Sequence, residues 1–300
     1  MVFLEVEIGG LRYSNPSMLA SGILGVSEGL LRRVLEAGAG AVVTKSVTLK
    51  PRAGNPTPCF VELEVGYVNS LGIPNPGYRE FLQEIKDLHE KEKIIISLAG
   101  SSVEDFEVMA RAVEESGFPV VELNFSCPHA KNLGLEILKR HQILFEAIKV
   151  IKETTRLKVW VKLGLSDNLL EIARGIEKAG ADAIVAINTI RCLLIDIYAR
   201  KPCLSSIYGG LSGKAIHPIA TRCVYDLYKV VDIPIIGVGG IESWREAVEF
   251  ILAGATAFQI GSGIAKEGLD IFKKVIDGLA RYLKDNGFSS VYDIVGLAHK

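Results

Sequence analysis

The sequence contains no Cys-x-x-Cys pair. Its five cysteines stand at 59, 127, 192, 203 and 223, so a zinc site or an iron–sulfur cluster held by this chain alone is not expected. The set is odd in number and widely scattered, which speaks against a disulfide framework and for a reducing, cytosolic setting. No apolar run reaches the roughly 18 residues that a membrane span needs. The first residues, Met1 to Glu7, carry acids early and show no basic region ahead of an apolar one, so no secretion signal is visible. Charge of one sign is also missing. Lys+Arg number 34 against 35 Asp+Glu, a net charge of −1, which argues against a polyanion-binding surface and hence against nucleic acid as a partner. Low-complexity segments and linkers are absent. Aspartate and glutamate hardly occur at the ends of the apolar runs, which weighs against hydrolase triads and glycosidase carboxylate pairs.

What is present is a rhythm. The 300 residues, 49% of them hydrophobic, can bury a large core without staples. Short apolar runs at 17–21, 41–45, 94–98, 120–124, 158–163, 183–187, 234–238 and 257–260 predict strands. Stretches of helical period at 27–37, 77–91, 103–116, 135–154, 168–179, 215–230, 243–252 and 265–284 predict the helices between them. Near-continuous Val/Ile runs suit strands buried on both faces, and a β–helix–β order implies parallel pairing. Glycine closes several helices, at Ala37-Gly38, Ser116-Gly117, Ala179-Gly180 and Ala253-Gly254. Eight repeats favour an α/β fold of the (β/α)₈ barrel type, one domain over 1–300, with an open doubly wound sheet as the structural rival. Two connections, 46–76 and 188–214, exceed ordinary turns and belong on the C-terminal rim of such a barrel. Phe3–Tyr13 reads as a short N-terminal β-ribbon at the barrel's base.

Polar and glycine residues gather where the strands end: Ser21, Lys45-Ser46, Asn124 to His129, Lys162, Asn188-Thr189, Gly237 to Gly240 and Gly261 to Gly263. Seven of eight strand ends therefore carry candidate chemistry. The last two glycine clusters match the turns that cradle a phosphate on such a rim. Lys45 and Lys162 follow apolar strands, so their ammonium groups are expected in the rim pocket, where a cation stabilises negative charge arising on a ring. Asn69, Asn124 and Asn188 each offer a donor pair and an acceptor, which suits a planar imide or amide ring. Cys127, between Ser126 and Pro128, is a candidate nucleophile or a base for a carbon-bound proton. The other four cysteines are expected to be structural.

These residues resemble the class 1 dihydroorotate dehydrogenases. The likeness is carried by Thr44 to Arg52 with Gly54 to Pro58, by Asn69 to Gly77, Asn124 to Pro128, Val161 to Leu163 and Ile187 to Thr189, and by Gly209 to Gly213 with Ala215, Ile216 and Pro218. Ile235 to Gly240 and Gly261-Ser262 complete it. Thr44 to Pro58 together with Gly209 to Gly213 is most similar to the NAD-linked, two-subunit (B-type) branch. The resemblance implies a barrel with FMN on its rim, touched by Ser21, Lys45, Ser46, Asn124, Lys162, Ile187, Gly213, Gly239, Gly240, Gly261 and Ser262. It implies that Lys45, Asn69, Ser70, Leu71, Gly72, Ile73, Asn124, Asn188 and Thr189 hold dihydroorotate. Cys127 would take the proton from C5 while hydride leaves C6 for the flavin. Electrons would pass to NAD through a partner subunit carrying FAD and an iron–sulfur cluster, in a heterotetramer built on a homodimer of this chain, in the cytoplasm.

Two positions depart from the pattern. His129 stands where asparagine is common and resembles the pyrimidine-reducing domain of dihydropyrimidine dehydrogenase, which keeps a uracil or thymine reductase as an alternative. Ser97 stands where many relatives have a flavin-facing asparagine. A fumarate-linked one-subunit enzyme is a further alternative. Beyond these lie a flavin-free phosphate-sugar isomerase or lyase and a non-catalytic ligand-binding barrel. No amphipathic N-terminal helix is apparent, so direct quinone coupling is not expected.

Overall fold

The structure, a computed structural model, describes residues 2–125 and 141–300. Along the chain, β1 (Val6–Ile8) and β2 (Leu11–Tyr13) form a hairpin, β3 (Ser17–Leu19) enters the main sheet, and α1 (Glu28–Glu36) leads to β4 (Ala41–Val43). An excursion, β5 (Phe60–Leu63) and β6 (Gly66–Asn69), precedes α2 (Tyr78–Glu84) and β7 (Ile94–Leu98). Next come α3 (Val103–Glu115), β8 (Val120–Asn124), α4 (His141–Thr154), β9 (Lys158–Leu163), α5 (Leu169–Lys178) and β10 (Ala183–Ala186). A second excursion holds β11 (Ile190–Leu193), β12 (Ile195–Asp196), β13 (Lys201–Pro202) and β14 (Tyr208–Ser212). The chain continues through α6 (His217–Tyr228), β15 (Ile235–Val238), α7 (Trp244–Ala253), β16 (Ala257–Ile260), α8 (Gly263–Glu267) and α9 (Asp270–Asp285).

The eight expected strands close into one parallel barrel in the order β3-β4-β7-β8-β9-β10-β15-β16, with β16 pairing back to β3. Closure excludes the open sheet. Helices pack around the barrel because each carries an apolar stripe. In α3 the stripe is Phe106, Met109, Ala110 and Val113, all fully buried, at the i, i+3, i+4, i+7 spacing of one helical face. Ser102 caps its start by accepting from the Asp105 N–H. Gly38, Gly117, Gly180 and Gly254 follow helices with φ between 80° and 118°, as their positions in sequence imply.

The N-terminal hairpin closes the bottom of the barrel. Tyr13 is 1% exposed and packs edge-on against Trp160 of β9 at 6.1 Å. Its turn, Gly9-Gly10, abuts Asp182 and Lys158 at the N-terminal ends of β10 and β9. Two helices differ from expectation. The helix expected over 77–91 stops at Glu84, because the chain then turns to bury Ile85 and Leu88, with Glu90 at φ 55°. The helix expected over 265–284 is two, separated at Gly268, where φ is 63°. The helix expected over 135–154 is described from His141 onward. Among the described residues, no helix is long and apolar enough to cross a membrane.

The long connections do more than loop. β6 and β14, one from each excursion, pair antiparallel, so that β11-β14-β6-β5 make a four-stranded sheet standing over the rim. Two segments more than 130 residues apart in sequence thus become one wall.

Candidate active site at the barrel rim

Between the rim and this sheet lies a cavity of about 260 Å³. Seven of the eight barrel strands reach it at their carboxyl ends, with Ser21, Lys45, Ser46, Asn124, Lys162, Ile187, Asn188, Thr189, Gly239, Gly240, Gly261 and Ser262 in its wall. The rim sheet and its flanks supply Asn69, Leu71, Gly72, Ile73 and Gly213. β7 sends no side chain to the wall. Its Ser97 is fully buried and binds the Ser46 hydroxyl at 2.8 Å from behind. Ser46 is the centre of a polar ring. It lies 3.3 Å from the Ser21 hydroxyl, and accepts from Asn124 Nδ2 at 2.9 Å. Asn188 Nδ2 in turn donates to Asn124 Oδ1 at 3.4 Å. Side chains from five strand ends are fixed before any ligand arrives.

Residues 70–73 form the opposite wall. Their carbonyls are all occupied by donors that do not line the cavity. Asn55 Nδ2 donates to the Ser70 carbonyl at 2.8 Å and the Asn55 N–H to that of Leu71 at 2.9 Å. Arg52 Nε donates to the Gly72 carbonyl at 3.3 Å, and Asn75 Nδ2 to that of Ile73 at 2.9 Å. A trans peptide points its N–H opposite to its carbonyl, so the N–H groups of Leu71, Gly72 and Ile73 face the cavity. Gly72 and Ile73 both have positive φ, 77° and 54°. Successive inward amides of this kind make an anion-binding nest. Ser70 is the exception among the expected wall residues. Its side chain is fully buried behind the wall, with no hydrogen-bond partner among the described residues, so it contributes backbone rather than hydroxyl.

A second anion cradle faces the nest. Gly213, Gly239 and Gly240 have positive φ and crowd one another. A Cβ on Gly240 would sit 2.7 Å from the Gly213 carbonyl oxygen and 2.8 Å from the His217 Cβ. Gly263 packs on the Ile241 carbonyl, where a Cβ would come within 2.2 Å, so the turns after β15 and β16 touch. Gly237, by contrast, serves packing, since Phe250 occupies the space of its missing side chain. His217, 5% exposed, holds the cradle from beneath. Its Nδ1 lies 2.9 Å from the Gly239 carbonyl, which can only accept, so this nitrogen carries the proton. Nε2 meets Glu249 Oε2 at 3.0 Å. Turning the Gly239 carbonyl down turns the Gly240 N–H up. A His217→Leu variant is expected to bind a phosphate-bearing ligand about threefold to tenfold more weakly, the worth of one hydrogen bond, measured by calorimetric titration. An unchanged affinity would remove His217 from this role.

Two cations complete the site. Burial lowers the pKa of the Lys45 ammonium. Lys162 is 4% exposed, and desolvation outweighs the neighbouring Glu122 in lowering its pKa. Glu122 and Gln259 were not anticipated as site residues. They lie inside the barrel next to Lys162, with Gln259 Nε2 donating to Glu122 Oε2 at 2.7 Å. Their signal was in the eight barrel strands, where Glu122 is the one carboxylate and Gln259 the one amide in mid-strand. Phe60 and Tyr67, stacked at 5.6 Å in the rim sheet, also line the cavity and gave no such signal. Cys127 lies outside the described residues, three positions beyond Asn124.

A closed parallel barrel with a cavity at the carboxyl ends of its strands, where lysine, asparagine and serine side chains stand among apolar ones, defines the class: a (β/α)₈-barrel enzyme. The chain belongs to the dihydroorotate dehydrogenase family, which it matches over residues 3–283. It is 47% identical over 298 residues to the dihydroorotate dehydrogenase B (NAD(+)) catalytic subunit of Pyrococcus horikoshii, covering 99% of this chain and 98% of that one. The subunits of the same name from Methanocaldococcus jannaschii and Methanothermobacter thermautotrophicus are 43% and 42% identical, over 99% of this chain and 98% of each.

Proposed function

We propose that this chain oxidises dihydroorotate to orotate in pyrimidine biosynthesis, as the catalytic subunit of an NAD-linked dihydroorotate dehydrogenase. The observation that carries the reading is the pairing of two anion cradles in one cavity whose wall also holds two lysines and three asparagines. One cradle suits the phosphate of FMN and the other the substrate carboxylate. FMN would be held by Ser21, Lys45, Ser46, Asn124, Lys162, Ile187, Gly213, Gly239, Gly240, Gly261 and Ser262, and when bound it supplies the hydride acceptor. The amides of residues 71–73 orient the carboxylate. Asn69, Asn124, Asn188, Thr189 and Lys45 address the ring's N–H and C=O groups. Cys127 takes the C5 proton on its sulfur. The rim sheet shields the reacting face from water.

The uracil and thymine reductase reading is not favoured, because those rings have no carboxylate to meet the nest. The fumarate-linked reading is not favoured either, given relatives named for NAD(+). For electron disposal the reading requires a partner subunit with FAD and an iron–sulfur cluster, two copies of each chain forming a heterotetramer. Ile195, Ile197 and Tyr198, exposed on the β12-β13 ribbon, offer apolar surface for a second chain. Among the described residues, Cys59, Cys192, Cys203 and Cys223 are free thiols, which suits the cytoplasm.

The test is anaerobic addition of dihydroorotate to the FMN-loaded protein. Bleaching of the flavin absorbance by dihydroorotate and not by dihydrouracil is expected, and the reverse would overturn the reading. An Asn55→Ala variant, which removes the side-chain donor to the Ser70 carbonyl and keeps the backbone N–H that holds Leu71, is expected to raise KM for dihydroorotate about threefold to tenfold, the worth of one hydrogen bond, with FMN affinity unchanged.

A further inference from the structure

Beneath the cavity, Glu122 is a carboxyl that the reaction does not use. It is fully buried at the centre of β8, inside the barrel, where an isolated carboxylate is very costly. One oxygen, Oε2, accepts from Gln259 Nε2 at 2.7 Å. The other, Oε1, has no hydrogen-bond partner among the described residues and lies 3.9 Å from Lys162 Nζ. Lys162 Nζ also approaches Gln259 Oε1 at 3.4 Å. The three side chains close a triangle across β8, β9 and β16, with one corner, Lys162, in the cavity wall. A packing role would be served better by apolar residues of the same size.

We propose that Glu122, braced by Gln259, is a positioning residue that holds the Lys162 ammonium in place and keeps it charged at the floor of the flavin cavity. The inference rests on the flavin reading of that cavity. Its physical basis is the balance on a buried lysine. Desolvation favours the neutral amine, and the carboxylate 3.9 Å away opposes it. Burial raises the pKa of Glu122 itself, so the carboxyl and the amine each depend on the other for charge. Among the described residues, the other titratable groups around Lys162 supply no anion. Lys45, across the cavity, is a second cation, Tyr67 lines the roof, and Tyr13, on the barrel floor against Trp160, is kept neutral by burial. Gln259 fixes the direction of the pair, since its amide oxygen faces the ammonium while its NH₂ faces the carboxylate. The sign follows. An ammonium is present below its pKa and lost above it, so removing Glu122 makes Lys162 lose its proton at lower pH.

The experiment is FMN affinity by fluorescence quenching from pH 6 to pH 10 for the wild type, Glu122→Gln, Gln259→Leu and Lys162→Met. Glu122→Gln is expected within threefold of wild type at pH 6 and at least tenfold weaker at pH 9. Gln259→Leu should show the same trend with a smaller change, and Lys162→Met should be weak at every pH. A Glu122→Gln curve that overlays the wild type, or is displaced equally at all pH values, overturns the proposal. In parallel, the lysine ¹³Cε resonance that disappears in Lys162→Met is titrated in the flavin-free protein. Its midpoint should fall by at least one pH unit in Glu122→Gln, and an unmoved midpoint also overturns the proposal. A wild type that takes up no FMN would sink the flavin reading, while the resonance still decides the lysine–glutamate pair.

Discussion

Cys127→Ala is expected to lower the rate of flavin reduction by dihydroorotate about 10²- to 10⁴-fold, the range lost when a positioned general base is removed. The variant should keep its yellow colour, because none of the groups assigned to FMN is touched. The loss therefore falls on the chemical step and not on assembly. Among the described residues in the cavity wall, the basic groups are Lys45 and Lys162, and no carboxylate is present. Glu122 is beneath the floor and engaged with Gln259. The proposed base is Cys127, which the resemblance to the family singles out and which lies outside the described residues. The reduction rate should rise with pH through the thiol range, near an ordinary pKa of about 8.5, because the thiolate is the competent base. Stopped-flow reduction under anaerobic conditions measures both. A Cys127→Ala protein reduced at the wild-type rate, or a flat profile between about pH 6 and about pH 10, would falsify the thiol base.

Gly240→Ala is expected to yield a folded but colourless protein, with FMN affinity reduced at least about 100-fold. Two independent penalties act at this position. The backbone has φ 70°, a conformation that costs an L-residue about 1–3 kcal/mol. The new methyl would also lie 2.7 Å from the Gly213 carbonyl oxygen and 2.8 Å from the His217 Cβ, neither of which has room to retreat. Relief requires Gly240 to rotate, and rotation takes its N–H out of the cradle. Gly29→Ala is the matched control. It lies in α1, has ordinary φ and would meet nothing within 4 Å, so colour and affinity should be retained. Flavin content after gel filtration with excess FMN, and affinity by fluorescence, read the difference. Equal affinity in both variants would remove the cradle from phosphate binding.

Much of this arrangement could be read along the chain. The strand runs at 94–98, 120–124, 158–163 and 257–260 coincide with β7, β8, β9 and β16, because Val/Ile runs bounded by glycine and polar residues leave little choice of structure. The ends of β3, β4 and β10 come one or two residues early, since Ala20-Ser21, Thr44-Lys45 and Ile187 turn out into the rim. The wall residues followed from the same logic, with a polar side chain after an apolar strand pointing into the mouth of a barrel. Ser70 shows where that logic stops. Its neighbours in sequence face the cavity through backbone, and a peptide's orientation is set by which distant donors hold its carbonyls, here Asn55.

The sequence by itself determined eight strand–helix repeats, the strand ends that carry chemistry and most of the residues there, because hydrophobic period and turn residues are local signals. Tertiary structure alone decided three things. It joined the two excursions into a single sheet through β6 and β14, turned the amides of residues 71–73 inward, and set Glu122 and Gln259 against Lys162. The first and the third are contacts between segments far apart in the chain, and such contacts depend on how the barrel closes, which no stretch of neighbouring residues encodes.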